Sequence, residues 1–153
     1  MDVDGTMTDG KIYMGEQGEV MKAFSVKDGQ GISTLRKMDV QSVVITKRAS
    51  QIVLQRCAEL KIPPEHIHQQ IQSKVSVIEE YISRLSLNLD SFAYIGDDIN
   101  DIPAIELVKK GGGLTACPAD AMDSVKRAVD YICTRKGGEG AVRDFIDYMI
   151  TRY

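Results

Sequence analysis

The sequence has no long apolar run, no surplus of positive charge, no proline-rich stretch and no paired cysteines. Each absence excludes something. No segment approaches the roughly 18 apolar residues that a membrane span needs. Lysine and arginine number 19 against 22 acidic residues, a net charge of −3, without the basic stripe of a nucleic-acid binder. The four prolines (Pro63, Pro64, Pro103 and Pro118) mark no linker. Cys57, Cys117 and Cys133 lie far apart with no CxxC, as expected of reduced core thiols in a cytoplasmic protein. Met1-Asp2-Val3-Asp4 offers neither a basic nor an apolar leader, so no signal peptide is expected. The rest is ordinary: 43% apolar and 27% charged over 153 residues, against disorder and coiled coil and about one domain in size. The reading is a single domain over residues 1–153.

The hydrophobic pattern alternates strands and helices. Ser42–Thr46 and Phe92–Ile95 are short apolar runs of the kind buried on both faces. Leu114–Ala116 and Tyr131–Cys133 are weaker strand candidates. Helices are predicted over Ala49–Leu60, with Val53, Cys57 and Leu60 on one face, and over Ser73–Leu87, with Val75, Ile78, Ile82 and Leu85 as the stripe. A last helix starts near Glu139 and carries Val142, Phe145, Ile146 and Met149. Near the front, Lys11–Met14 and Val20–Phe24 flank Gly15-Glu16-Gln17-Gly18, a hairpin signal. Strands alternating with helices imply a parallel α/β sheet. Ligands of such sheets bind beyond the carboxyl ends of the strands.

Four groups of residues sit at such places. Asp2-Val3-Asp4-Gly5 pairs two carboxylates with a glycine, which suits a hard cation and a phosphate. Asp97, Asp98 and Asp101 follow a strand, and three carboxylates so close repel unless a cation sits among them. Helix capping can account for one of the three, not for all. Thr46 ends a strand beside a helix start, where it either binds an anion or caps the helix. Lys74 opposes the dipole at the start of its helix and so points to a partner anion. His66 and His68 share a face of a possible strand, but no third zinc ligand is evident.

In this order the four groups resemble the motifs of the haloacid dehalogenase-like phosphohydrolases. The closest branch is the small cap-less phosphatases of 2-keto-3-deoxy sugar acids, typified by the 3-deoxy-D-manno-octulosonate 8-phosphate phosphatases. Asp2–Gly10 looks like that branch's DxDGxxTDG signature, and Ser25–Ile32 like its segment after the hairpin. Gly137–Arg143 looks like its GGxGAxRE signature, with Asp144 in place of glutamate. The resemblance implies a three-layer Rossmann-like parallel sheet with a β-hairpin insertion and no cap domain.

It further implies an Mg²⁺-dependent phosphatase acting through an aspartyl-phosphate. Asp2 would be the nucleophile and Asp4 the general acid and base. Mg²⁺ would sit on the Asp2 carboxylate, the Asp4 carbonyl and Asp97. Thr46 and Lys74 would hold the phosphoryl oxygens. Asp98 and Asp101 would orient Lys74 and the metal's water. Asp28 and Arg48 would bind substrate, Arg48 as a clamp for the sugar carboxylate. Arg143 would be either a second such clamp or a surface residue. Members of the branch assemble through their hairpins, so a homotetramer is expected. Two other readings stay open: a nonulosonate 9-phosphate phosphatase, whose members carry glutamate at the Arg48 position, and a non-catalytic oligomerisation module of the sialic-acid cytidylyltransferases. Two departures stand out. Lys47 replaces a usual glycine. Only Met1 precedes Asp2 where the family has an apolar strand, so that strand is expected to be missing.

Overall fold

The computed structural model of the chain describes residues 1–152. Strands β1 (Tyr13–Gly15) and β2 (Gly18–Met21) pair antiparallel around the turn Glu16-Gln17, with an irregularity between Tyr13 and Met14. Helix α1 (Val26–Lys37) follows, with Ser25 Oγ accepting from Lys27 N at 3.2 Å. Then come β3 (Val44–Ile45), α2 (Gln51–Glu59), β4 (Ile67–His68) and α3 (Lys74–Leu85). The second half runs β5 (Ala93–Ile95), α4 (Ile102–Lys110), β6 (Leu114–Cys117), α5 (Asp123–Ala128), β7 (Tyr131–Ile132) and α6 (Ala141–Ile150).

Strand β3 pairs parallel with β4, and β5, β6 and β7 pair parallel in that order. The gap between β3 and β5 is filled by the first residues of the chain. Met1 N donates to Val43 O at 2.8 Å, Ile45 N to Met1 O at 2.9 Å, and Asp2 N to Ile95 O at 3.0 Å. Met1–Val3 therefore occupies the central position of the sheet and ties Asp2 to both neighbours.

Both faces of the sheet are covered, and the alternation along the strands shows it. Val3, Val44, Ile95 and Ala116 join α1, α2 and α6 in one core, through Ile32, Val53, Cys57, Val142, Phe145 and Ile146. Ile45, Tyr94 and Cys117 point the other way and pack with α3, α4 and α5, through Ile78, Ile105, Val108 and Val125. Successive strand residues serve opposite cores, as the period of two requires. Each fully buried Val or Ile contributes about 1.5–3 kcal/mol by leaving water. This is the expected three-layer α/β sheet, and only the hairpin lies between the first motif and α1.

Some expectations shift. The buried stripe of α3 is Lys74, Val77, Ile78 and Tyr81, while Leu85 is 49% exposed. The apolar pattern missed this because the first member of the stripe is a charged residue. His66 lies in a single helical turn and only His68 in a strand. Both rings pack on Tyr81, and His68 Nε2 lies 3.1 Å from its hydroxyl. The pair is a packing feature around a tyrosine. Helices α4 and α5 were not predicted. The three cysteines are buried and unpaired, as expected.

Candidate active site

The site lies beyond the carboxyl ends of Met1–Val3, β3 and β5. After Val3 the chain turns sharply. Thr6, Met7 and Thr8 all donate their backbone N–H to Val3 O, at 3.1, 2.9 and 3.0 Å. Thr8 Oγ1 accepts from Gly5 N and Gly10 N, both at 3.3 Å. Gly5 has φ +90°, and a Cβ there would lie 2.0 Å from Asp97 Oδ2. Only glycine lets this loop approach Asp97 so closely. The loop rests on Gly137 and Gly138. A Cβ at Gly137 would lie 1.9 Å from Gly5 O, and Gly138 N donates to Thr6 O at 3.2 Å. The C-terminal glycine signature is thus the floor of the first motif.

Lys74 is buried at the centre. Its Nζ lies 2.7 Å from Asp2 Oδ1 and 2.6 Å from Asp101 Oδ1. Burial pulls the ammonium down, but Asp2 and Asp101 more than offset it, and its pKa is raised. Tyr94 OH also donates to Asp101 Oδ1 at 2.6 Å, and Asp101 Oδ2 accepts from Asp97 N and Asp98 N at 3.1 and 3.3 Å. Asp101 therefore has four donors for its roughly four lone-pair sites. It is saturated and acts by holding Lys74.

Asp97 Oδ1 accepts from Thr6 Oγ1 at 3.2 Å. Carboxylate oxygens of Asp2, Asp97 and Asp101 all lie within 4.8 Å of one another. One ammonium cannot neutralise three carboxylates. Burial first, then the charges of Asp2 and Asp101, push Asp97 up to about 8. Burial and Asp101 likewise raise Asp2. An all-oxygen donor set short of positive charge fits Mg²⁺. Asp2 and Asp97 are the carboxylates left to bind it.

The other predicted residues divide. Thr46 is buried at the end of β3, and its Oγ1 accepts from Arg48 N at 3.4 Å. Among the described residues nothing accepts its hydroxyl proton. Asp4 forms an ion pair with Lys22, and Arg48 Nε lies 3.9 Å from Asp4 Oδ2. Arg48 NH2 is also 3.6 Å from Glu19 Oε1, with its side chain 43% exposed. Lys47 is exposed. Asp98 makes no contact with Lys74. It caps the turn Ile99–Asp101, its Oδ1 accepting from Ile99 N at 2.7 Å. Asp28 is not brought to the cluster either. Its buried Oδ1 accepts from Arg143 N at 2.8 Å. The N-cap of α6 is Gly140, with no side chain to cap its helix, and Asp28 supplies the missing acceptor from α1. Arg143 Nε lies on Asp147, 2.8 and 2.9 Å from its two oxygens.

Residues 63–146 match the haloacid dehalogenase-like hydrolase family. The 3-deoxy-D-manno-octulosonate 8-phosphate phosphatase KdsC of Escherichia coli (strain K12) is 38% identical over 150 residues, 98% of this chain and 77% of the relative. The chain belongs to the haloacid dehalogenase-like hydrolases. Among solved structures, the 3-deoxy-D-manno-octulosonate 8-phosphate phosphatase from Yersinia pestis matches with TM-score 0.89 at 39% identity, covering 98% of this chain and 78% of that one. The Moraxella catarrhalis phosphatase of the same name, in complex with magnesium ion, phosphate ion and KDO, matches with TM-score 0.89 at 33% identity. It covers 98% of this chain and 83% of that one.

Four residues of this haloacid dehalogenase-like hydrolase site were not predicted. Thr6 stands inside the first motif but bears no charge. Tyr94 reads as an apolar strand residue, although its hydroxyl reaches Asp101. Glu19 and Lys22 sit on the hairpin, where charged residues ordinarily mark a solvated edge. Lys22 is buried all the same. No sequence signal separates it from its exposed neighbours.

Proposed function

We propose that this chain is an Mg²⁺-dependent phosphatase of a 2-keto-3-deoxy sugar acid phosphate, specifically 3-deoxy-D-manno-octulosonate 8-phosphate. The observation that carries the reading is the buried contact of Lys74 with Asp2 and Asp101, with Asp97 beside them. The relatives that share nearly the whole chain carry that activity in their names. Arg48 at the mouth of the site supports the octulosonate over the nonulosonate substrate. The intact Asp2, Asp4, Lys74 and Asp97 support an enzyme over an assembly module.

Asp2 attacks the phosphorus, and the new Asp2–phosphorus bond forms as the bond to the sugar oxygen breaks. Asp4 gives its proton to the departing sugar hydroxyl. It then takes a proton from water, which attacks the aspartyl-phosphate and releases inorganic phosphate. Lys74 and the free Thr46 proton hold the phosphoryl oxygens as charge moves onto them. Mg²⁺ on Asp2, Asp97 and the Asp4 carbonyl would supply the positive charge that lets an anionic carboxylate approach an anionic phosphate. Asp101 keeps Lys74 aimed, held in turn by Tyr94. Arg48 takes the sugar carboxylate.

A homotetramer built on the hairpins completes the proposal. Ile12, Met14, Val20 and Met21 are 47–66% exposed there, an apolar set that a second copy would cover. The protein is proposed to be cytoplasmic, in keeping with its three buried thiols. Among the described residues no helix is long and apolar enough to cross a membrane.

The test is phosphate release from octulosonate 8-phosphate and from a nonulosonate 9-phosphate, with Mg²⁺ and with chelator. Metal-dependent turnover that prefers the octulosonate and is lost in Asp2→Asn is expected. Preference for the nonulosonate would overturn the substrate, and no turnover by folded protein would overturn the enzyme.

A further inference from the structure

The hairpin lies apart from the sheet, yet it places Lys22 against the first motif and Glu19 against Lys22. Lys22, just after β2, has a side chain with no solvent exposure and pairs with Asp4 Oδ1. Its Nζ also lies 2.9 Å from Glu19 Oε1. The second oxygen of Glu19 accepts from Ser50 Oγ at 2.6 Å, which ties the hairpin to the start of α2. A chain of contacts thus runs from α2 through Glu19 and Lys22 to Asp4. No part of the reaction described above uses it.

Burying an ammonium and two carboxylates is costly unless their geometry is held. Here both ends are held. Asp4 is left with two unequal oxygens. Oδ1 accepts from an ammonium, so it cannot also carry a proton directed at that ammonium. Oδ2 has no hydrogen-bond donor among the described residues, since Arg48 Nε at 3.9 Å is out of range.

We infer that Lys22 and Glu19 are positioning residues for the general acid: they fix Asp4 through Oδ1 and leave Oδ2 to carry the proton passed to the leaving group. The inference rests on Asp4 serving in that role, as proposed above. In the step itself, the Oδ2–H bond breaks as the sugar oxygen leaves phosphorus and takes the proton. The Asp4 carboxylate that results stays paired with Lys22.

The consequence is a dependence on the leaving group. An alkoxide or phenolate needs the proton, whereas 4-nitrophenolate leaves without one. The experiment compares the parent protein with Lys22→Met, Glu19→Gln and Lys22→Arg. Substrates are octulosonate 8-phosphate, phenyl phosphate and 4-nitrophenyl phosphate, all with saturating Mg²⁺. In Lys22→Met and Glu19→Gln, kcat/KM on the first two should fall about 10- to 100-fold, part of the roughly 10²–10⁴ that general acid catalysis supplies. For 4-nitrophenyl phosphate kcat/KM should stay within about twofold, since its leaving group needs no proton and this ratio excludes the later hydrolysis in which Asp4 serves as base. Lys22→Arg keeps the cation and should recover part of the loss. Equal losses in kcat/KM on all three substrates would mean a structural role and overturn the inference, as would no loss on any. Should Lys22→Met fail to fold, Glu19→Gln decides by the same comparison. The two aryl phosphates keep the test separate from the sugar assignment. A parent protein active on them but not on the sugar phosphate would sink only the substrate reading. A parent inert to all three would overturn both.

Discussion

Lys74 Nζ lies 2.7 Å from Asp2 Oδ1, with 4% of the lysine and 6% of the aspartate exposed. An ion pair this dry is a specific arrangement. Removing one partner leaves a charge that water cannot reach, at a cost of about 3–5 kcal/mol. Lys74→Met should therefore lower kcat by roughly 10²–10³-fold, the usual loss when a donor to the transition state is removed. It should also lower the unfolding midpoint in urea. A variant with wild-type turnover would remove Lys74 from the site.

Gly5 sets how near the first motif comes to Asp97. Gly5→Ala would place a methyl 2.0 Å from Asp97 Oδ2 at a φ of +90°. The strained backbone costs about 1–3 kcal/mol. Mg²⁺ affinity, read by calorimetry, should fall about 10- to 100-fold, as it does when the surroundings of a ligand are displaced. Unchanged affinity would show that this approach is not needed for the metal.

Mg²⁺ should stabilise the protein because the folded state alone gathers Asp2 and Asp97. Thermal unfolding with and without Mg²⁺ tests this. At 100 times its dissociation constant the ion adds about 2.7 kcal/mol. Asp97→Asn should abolish most of that gain. If the midpoint of the parent does not move, the cluster is not a cation site.

Asp28 predicts a pH dependence of its own. Burial raises its pKa to about 6, against the pull of Arg143 N–H and the Arg56 charge. Between the ordinary carboxylate value of 3.8 and about 6 the folded protein holds a proton that the unfolded chain has lost. This contribution to stability therefore falls as pH rises through that window. Asp28→Asn keeps an acceptor for Arg143 N and removes the charge. Near neutral pH the variant should be more stable by about 1–2 kcal/mol, allowing for partial screening. The gap should close near pH 4. A gap that grows on acidification would show that the ionised carboxylate is the stabilising form.

How much of this was readable in the sequence depended on whether a residue's chemistry matched its surroundings. Val44, Ile45 and Ile95 are apolar and buried, and their strands were predicted. The Asp2, Thr46, Lys74 and Asp97 groups stood at strand ends, where the alternation of elements directs attention. Lys74 also shows the limit. Its position was found, but its place on the core face of α3 was hidden, because a pattern of apolar residues passes over a buried lysine. Asp28 shows a related limit. A carboxylate inside a glycine-bearing segment looks like a ligand group, and only the fold reveals that it caps a helix far along the chain. Lys22 was invisible because what buries it is Asp4 and Glu19, a pairing that no local spacing announces.

The glycine floor under the first motif has a consequence for timing. Thr6 and Gly138 touch through a backbone hydrogen bond although most of the chain separates them. Contacts between such distant residues form late, because the loop between them must first be ordered. The loop of the first motif settles after the rest of the sheet has assembled beneath it. A folding intermediate that keeps the β5–β7 sheet but has not docked Gly137–Gly138 would hold Asp97 and Asp101 in place and still lack the ordered Gly5–Thr8 turn that stands against Asp97. In refolding, recovery of activity should therefore lag behind recovery of helix and sheet.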